Sequence, residues 1–330
     1  MDKETYEIRT LDRTEYGRWD ELINLSSYGT VFSSSGWLSA TSMSLDTPFE
    51  IFGCYLDDKL VGGCPIFYKK RLGILTILTN VHGMMPYSGL VLEDYPQNNV
   101  RKFERHYSNI VSNMAKHFER LRFFMLSIIN PPGLLDIRPF TWRGWKADVK
   151  YAYFLDLQNM NYSRDVKRNI NSAKKNEVLV CRSSDIESYY SLFQHTFGRQ
   201  GLKPPVSERY LKNLYQYIID SDLGEMWVAK TPDEQWIAAE VFLHDNNYVH
   251  RWTAATDAEL RKGGGYHFLL DSVFRYYQEK GYSTVNLMAG NTPQLTEFIT
   301  GFNPELVPYF SVQKSRGVLR ILNAIRSIIR

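Results

Sequence analysis

The sequence predicts a mixed α/β protein of two units, each a mixed, mainly antiparallel sheet flanked by helices. Three observations predict it. Short β-rich runs are joined by Asp57-Asp58, Asp233-Glu234 and Asp245-Asn246, the tight-turn signal of hairpins. In both halves such a group is followed by a helix-compatible stretch and another strand. The length of 330 residues suits two domains of roughly 100–200 residues each.

In the first half, residues 15–27 read as a helix with Trp19, Leu22 and Ile23 on one side. Residues 50–56 and 59–68 form the first hairpin, and 74–79 and 88–93 read as further strands. A charged helix spans 98–121, with Ile110, Met114 and Phe118 at helical spacing. FFMLSII (123–129) is a buried strand that ends at Asn130-Pro131-Pro132-Gly133. Residues 142–150 read as a connector, so the first unit is placed at 1–150.

The second unit is placed at 151–313. It opens with a strand (151–157), followed by helices over 163–175, 185–198 and 207–220. Strands at 224–230, 235–244 and 247–256 form a meander. After the Arg261–Gly265 turn, Tyr266, Leu269, Leu270, Val273 and Tyr277 trace one helix face, and Gly281 ends that helix. A strand (284–289), a short helix (292–300) and a last strand (306–313) complete the unit. Residues 314–330 form a basic amphipathic helix, placed against the first unit, with weak membrane-surface contact as the alternative.

Composition narrows the function. The chain is 44% hydrophobic and 23% charged, as ordinary globular proteins are. A net charge of +3 gives no footprint for DNA, so an anion site must come from local clustering. Three cysteines without a CxxC pair, a charged N-terminus and no apolar run of ~20 residues lead to a cytoplasmic reading. The histidines lack metal-ligand spacing, so no metal and no tightly bound cofactor is expected. There is no P-loop motif, no GxGxxG fingerprint and no GxSxG elbow.

The glycine turn is the strongest local signal. Gly263, Gly264 and Gly265 let a backbone approach a bulky anion, and the amides of the following helix favour a phosphate. Arg261 and Lys262 add charge beside them, and Tyr266 begins the helix. A turn without ligand is the competing reading. Arg164, Lys167, Arg168, Asn171, Lys174 and Lys175 share one helix face, either a second anion contact or a solvated basic surface.

The order of three hairpin strands, glycine turn and helix resembles the core of the GNAT superfamily, with Gly263 and Gly265 at its two turn glycines and Leu260 at its Gln/Arg position. KRNINSAKK (167–175) is similar to the RRNIRKAxK helix of Fem-type tandem-GNAT proteins. Residues 263–281, the strand with Asn286 and Gly290, and 298–303 also resemble that family, with Ile299 and Thr300 in place of a basic pair. Phe32 to Trp37, 85–89 and 142–145 echo its first lobe.

The resemblance implies two GNAT-like lobes with a substrate cleft between them, and acyl or aminoacyl transfer to an amine. Acyl-CoA as co-substrate is preferred over aminoacyl-tRNA, because the basic pair and a coiled-coil arm are missing. The acceptor is then a small-molecule amine or a cell-envelope precursor. A Fem-type aminoacyltransferase that uses tRNA, and a catalytically silent binding protein, remain alternatives.

Acyl transfer needs a base for the amine and donors for the carbonyl oxygen. Glu240, in an apolar strand, is the first base candidate, with pairing to Arg251 as the competing reading. His250 is the second; a satisfied structural histidine is its alternative. Strand alternation puts His250 and Trp252 on one face and Arg251 on the other, and one face should meet substrate. Tyr87, Ser88, Arg168, Asn286 and Asn291 complete the expected substrate contacts.

Overall fold

Hairpin chemistry shapes the strands of both units. Asp57 and Asp58 adopt positive φ values of 48° and 64°, as a two-residue hairpin turn requires. The computed structural model describes residues 5–316 except Leu72, Ile74, Gln97, Gln200, Ala289 and Thr292, and leaves out the side chains of Arg261 and Gln294. Residues up to Lys150, together with the chain from Tyr309, form one unit; Tyr151–Pro308 form the other.

The first unit contains β1 (Tyr6–Thr10), α1 (Tyr16–Leu25), α2 (Ser35–Leu45), β2 (Phe49–Leu56), β3 (Lys59–Arg71) and β4 (Leu75–Thr79). It continues with β5 (Val91–Leu92), α3 (Val100–Phe118), β6 (Met125–Ile129) and α4 (Arg138–Thr141). β1 to β4 form an antiparallel meander, and β6 lies parallel to β4. Ile110, Val111, Met114, Ala115 and Phe118 of α3 form one apolar face and join Val61, Ile66, Leu126 and Ile128 in the core.

β7 (Lys146–Asp156) leads into the second unit. There follow α5 (Arg164–Lys175), β8 (Leu179–Ser183), α6 (Ile186–Gly198), α7 (Glu208–Asp220), β9 (Gly224–Lys230), β10 (Trp236–His244) and β11 (Val249–Thr256). The unit ends with α8 (Gly265–Glu279), β12 (Thr284–Met288), α9 (Pro293–Thr300) and the start of β13 (Glu305–Ser315). β8 to β11 form a meander, β12 lies parallel to β11, and β7 pairs antiparallel with β12. Leu269, Leu270, Val273 and Phe274 of α8 pack with Ile237, Phe242, Val285 and Leu287.

The two units thus share one strand plan. Each has a four-stranded meander, a helix, a parallel strand and a last antiparallel strand. In the first unit that last strand is the far part of β13, where Ser311–Ser315 pair with β6. The chain therefore leaves the second unit at Pro308, earlier than the 313 read from sequence.

Several elements differ from expectation. α2 was unforeseen; Ser34 caps it by accepting from the Trp37 amide. The edge strands β1 and β8 and the short α4 were also missed. β7 begins at Lys146, inside the expected connector, and the strand expected over 88–93 shrinks to Val91–Leu92. Of the expected helix over 314–330, Lys314 and Ser315 are instead the last residues of β13, and 317–330 lie outside the described residues. Among the described residues no helix is long and apolar enough to cross a membrane.

Candidate functional site

Among the described residues, the second unit has one parallel strand pair, β11 with β12, and it is short. β11 and β12 pair at Val249 with Val285 and at His250 with Asn286, and no further pairing joins them among the described residues. Both strands are irregular just there. The β10–β11 register shifts between Val241 and Phe242, so Trp252 is the extra residue of a bulge. β12 shifts between Asn286 and Met288, where Met288 takes φ 57°. β11 then runs toward the glycine turn and α8.

That turn is closely built. Asp257 accepts the amides of Glu259 and Leu260 at 2.8 and 2.9 Å. Gly264 caps α8 with φ 83°, in the left-handed region that favours glycine. A Cβ there would stand 2.2 Å from the carbonyl oxygen of Asn169, and one on Gly265 would meet Ile237 Cδ1 at 2.8 Å. A Cβ on Gly263 would meet only Asn176 Nδ2, at 3.8 Å. The amides of Gly264 to His267 precede the first α-helical bond, Phe268 N to Gly264 O, and sit at the positive end of the helix dipole.

Asn169 belongs to α5, so the glycine turn lies against the basic helix. Val166, Ile170 and Ala173 bury one side of α5, which leaves Arg164, Lys167, Arg168, Lys174 and Lys175 exposed. Lys174 Nζ lies 5.5 Å from the centre of the Phe268 ring, in the first turn of α8. Exposed Lys262 pairs with Glu259 at 2.6 Å. The two basic motifs read separately from the sequence therefore share one place.

Behind the turn lies a buried polar knot. Arg251 Nε and Nη2 donate to the two oxygens of Glu240 at 2.6 and 3.1 Å. The Tyr266 hydroxyl donates to Glu240 at 2.7 Å and accepts from Arg251 at 2.7 Å. Glu240 is 1% exposed and Arg251 9%. Burial works to discharge Arg251, but the Glu240 carboxylate outweighs it and holds the guanidinium charged. Burial also pushes the Tyr266 hydroxyl well above an ordinary phenol. The knot fastens the first turn of α8 to β10 and β11.

Residues 160–294 match the Acetyltransferase (GNAT) domain. No curated protein sequence matches the chain. The structure resembles that of FemX over 92% of this chain and 96% of that one, with 12% identity and a TM-score of 0.69. The chain has the GNAT-like fold of Fem-type proteins. Two other solved structures agree. L-PGS from Bacillus licheniformis matches over 95% of both chains, with 12% identity and a TM-score of 0.60. A tandem GNAT protein from the clavulanic acid biosynthesis pathway covers 95% of this chain and 99% of its own, with 12% identity and a TM-score of 0.57. Both units of this chain are accordingly GNAT-like lobes, and acyl transfer is the reaction class the domain match supports.

Within this Fem-type fold, several expected site residues hold other posts. Glu240 was expected as a base in contact with substrate, but both its oxygens are committed to Arg251 and Tyr266. Its pairing with Arg251, the competing reading, is the observed one. His250 is fully buried, with Nε2 2.7 Å from Asp245 Oδ2. Tyr266 and Arg251 belong to the knot, and Trp252 is buried at the bulge.

Asn286 is buried and accepts the Met288 amide at 2.8 Å, which fixes the irregular end of β12. Asn291 clamps β7, accepting from the Tyr151 amide and donating to its carbonyl, both at 2.9 Å. Asn291→Ala is expected to cost about 1–2 kcal/mol, with faster hydrogen exchange at Tyr151 as the local readout. Tyr87 and Ser88, expected at substrate, are buried in the first unit: Tyr87 packs on Phe32 and Tyr309, and Ser88 donates to the Asn80 carbonyl at 2.6 Å. Arg168 is exposed and pairs with Asp165 at 3.0 Å. The Arg261 side chain lies outside the described residues.

His267 was overlooked. It follows Tyr266 in the first turn of α8 and packs on Phe298 and Phe302, and its buried Nδ1 has no hydrogen-bond partner among the described residues. Burial pushes its pKa down to about 4. Only its place after three glycines could have marked it. Because the folded value lies below that of a free histidine, its contribution to stability is full above about pH 6.5. That contribution is lost as pH falls toward 4. The thermal midpoint is expected to decline less over that interval in His267→Gln, read from melting curves at each pH.

Proposed function

We propose that the protein is an N-acyltransferase that takes an acyl group from a phosphate-bearing donor, acyl-CoA, and transfers it to an amine. The observation that carries the reading is the Gly263–Gly265 turn, set at the start of α8 and packed on the basic helix α5. The amides of Gly264 to His267 offer hydrogen bonds to phosphate oxygens, and Lys262 and Lys174 add charge nearby. The opening between β11 and β12 would receive the donor's thioester arm. In the reaction the amine nitrogen bonds to the acyl carbon, the carbon–sulfur bond breaks, and the proton lost by the amine ends on the departing sulfur, which leaves as the CoA thiol. Holding the reactants together supplies much of such a rate enhancement.

The acceptor in this reading is a small-molecule amine or an amine on a cell-envelope precursor. The cysteines Cys54, Cys64 and Cys181 are free, which accords with the cytoplasmic setting such a donor needs. The exposed basic face of α5 favours a second reading, in which aminoacyl-tRNA is the donor.

Calorimetric titration with CoA, acetyl-CoA and charged tRNA distinguishes these. The first reading expects micromolar CoA binding that weakens in Lys174→Gln. Binding of charged tRNA without CoA would support the second. Binding of neither would leave a silent member of the fold and overturn both. For Lys174→Gln, loss of one phosphate contact is expected to weaken CoA by about fivefold.

A further inference from the structure

We propose that the first unit holds a binding site for a small organic cation: an ammonium group carried on an apolar or aromatic body. The site is a cavity of about 300 Å³ beside the N-terminal half of α3, the size of a small-molecule pocket. Phe103, Tyr107 and Ile110 line it from one face of α3, and Tyr28, Glu93 and Asp94 face them. It rests on no residue of the glycine turn and stands independently of the transferase reading.

Three observations select a cation. The first is Tyr107, 7% exposed, whose hydroxyl has no hydrogen-bond partner among the described residues. Burial raises its pKa, so it stays a neutral phenol with a free lone pair and one O–H. A buried polar group left unpaired is costly, which calls for a ligand that supplies a donor or an acceptor.

The second is charge. Asp94 accepts from the Ser27 amide and hydroxyl at 3.1 and 2.7 Å and has no ion pair among the described residues. Glu93 is held ionised: burial alone would raise its pKa, but His106 and Lys59 outweigh that and lower it. Its Oε1 lies 3.1 Å from His106 Nε2, and Lys59 meets its other oxygen. Two carboxylates against one lysine and one histidine repel an anion and leave Asp94 available to a cation.

The third is the aromatic wall. Tyr28 and Tyr107 meet edge to face with centroids 6.4 Å apart, and Phe103 lies 6.0 Å from Tyr107. Tyr95 stacks on His106 at 4.4 Å and closes that side. Aromatic faces attract ammonium groups, and more so where water is excluded. An ammonium there would donate one N–H to Tyr107 Oη and another to Asp94, with its body against Phe103 and Ile110.

The test is calorimetric titration of the full chain with benzylammonium, against benzyl alcohol as the neutral isostere and benzoate as the anion. Benzylammonium is expected to bind about tenfold more tightly than benzyl alcohol, and benzoate not at all. Tyr107→Phe and Asp94→Asn should each weaken it by about five- to tenfold, while leaving CoA titration unchanged. Tyr107→Phe removes one atom from a folded core, so it reads the site even if Asp94→Asn fails to fold. Equal binding of alcohol and ammonium, absence of binding by benzylammonium, or indifference to Tyr107→Phe would each overturn the assignment.

Discussion

Gly264→Ala is expected to lower stability by about 2–4 kcal/mol and to abolish donor binding. Two terms add. A residue with a Cβ resists the φ of 83°, at a cost of about 1 kcal/mol. The new Cβ would also stand 2.2 Å from the Asn169 carbonyl, and neither backbone can yield without parting α5 from α8. Gly263→Ala separates folding from binding. Its Cβ meets only Asn176 Nδ2 at 3.8 Å, and the backbone φ is not positive there. Stability should change by less than about 1 kcal/mol, while CoA affinity falls by roughly tenfold because the methyl group blocks close approach. Urea unfolding of both variants, beside calorimetry with CoA, checks the pair. Equal effects of the two substitutions on stability would contradict this account of the turn.

Arg251→Met is expected to be about as damaging, at roughly 3–5 kcal/mol, because it strands the buried Glu240 carboxylate. The Tyr266 hydroxyl alone would then face the carboxylate that Arg251 had paired. The double variant Glu240→Leu, Arg251→Met should recover to within about 2 kcal/mol of the parent, since no charge remains buried. Denaturant unfolding of the four proteins measures the cycle. A double variant no more stable than Arg251→Met would show that Glu240 is not the stranded charge.

The hairpins and the strong helices were legible because each carries a local signature. Asp57-Asp58 announces its turn, and the 3.6-residue period of α8 announces its buried face. α2 was not legible, because Ser34 to Ser44 reads as polar loop until its Ser34 cap and buried Trp37 and Leu38 are seen. The edge strand β8, mostly exposed, has no apolar alternation to betray it.

Of the site, the glycine turn and the basic helix were both read, but not their contact through Asn169, which is long-range in the chain. The bulge at Trp252 was equally hidden. It breaks the alternation on which face assignments in β11 rested, and it lets Arg251 and Glu240 share a side. A glutamate in an apolar strand looks like a tuned base until its buried partner is found. The partner of His250 was hidden in the same way, since Asp245 meets it from the preceding turn.

The phosphate grip at the head of α8 is tested most directly by hydrogen–deuterium exchange of the full chain with and without saturating CoA. The account predicts slowed exchange at Gly264 to His267 and in the neighbouring half of α5 around Asn169 to Asn176. Unchanged exchange in both segments, with protection elsewhere or nowhere, would contradict it.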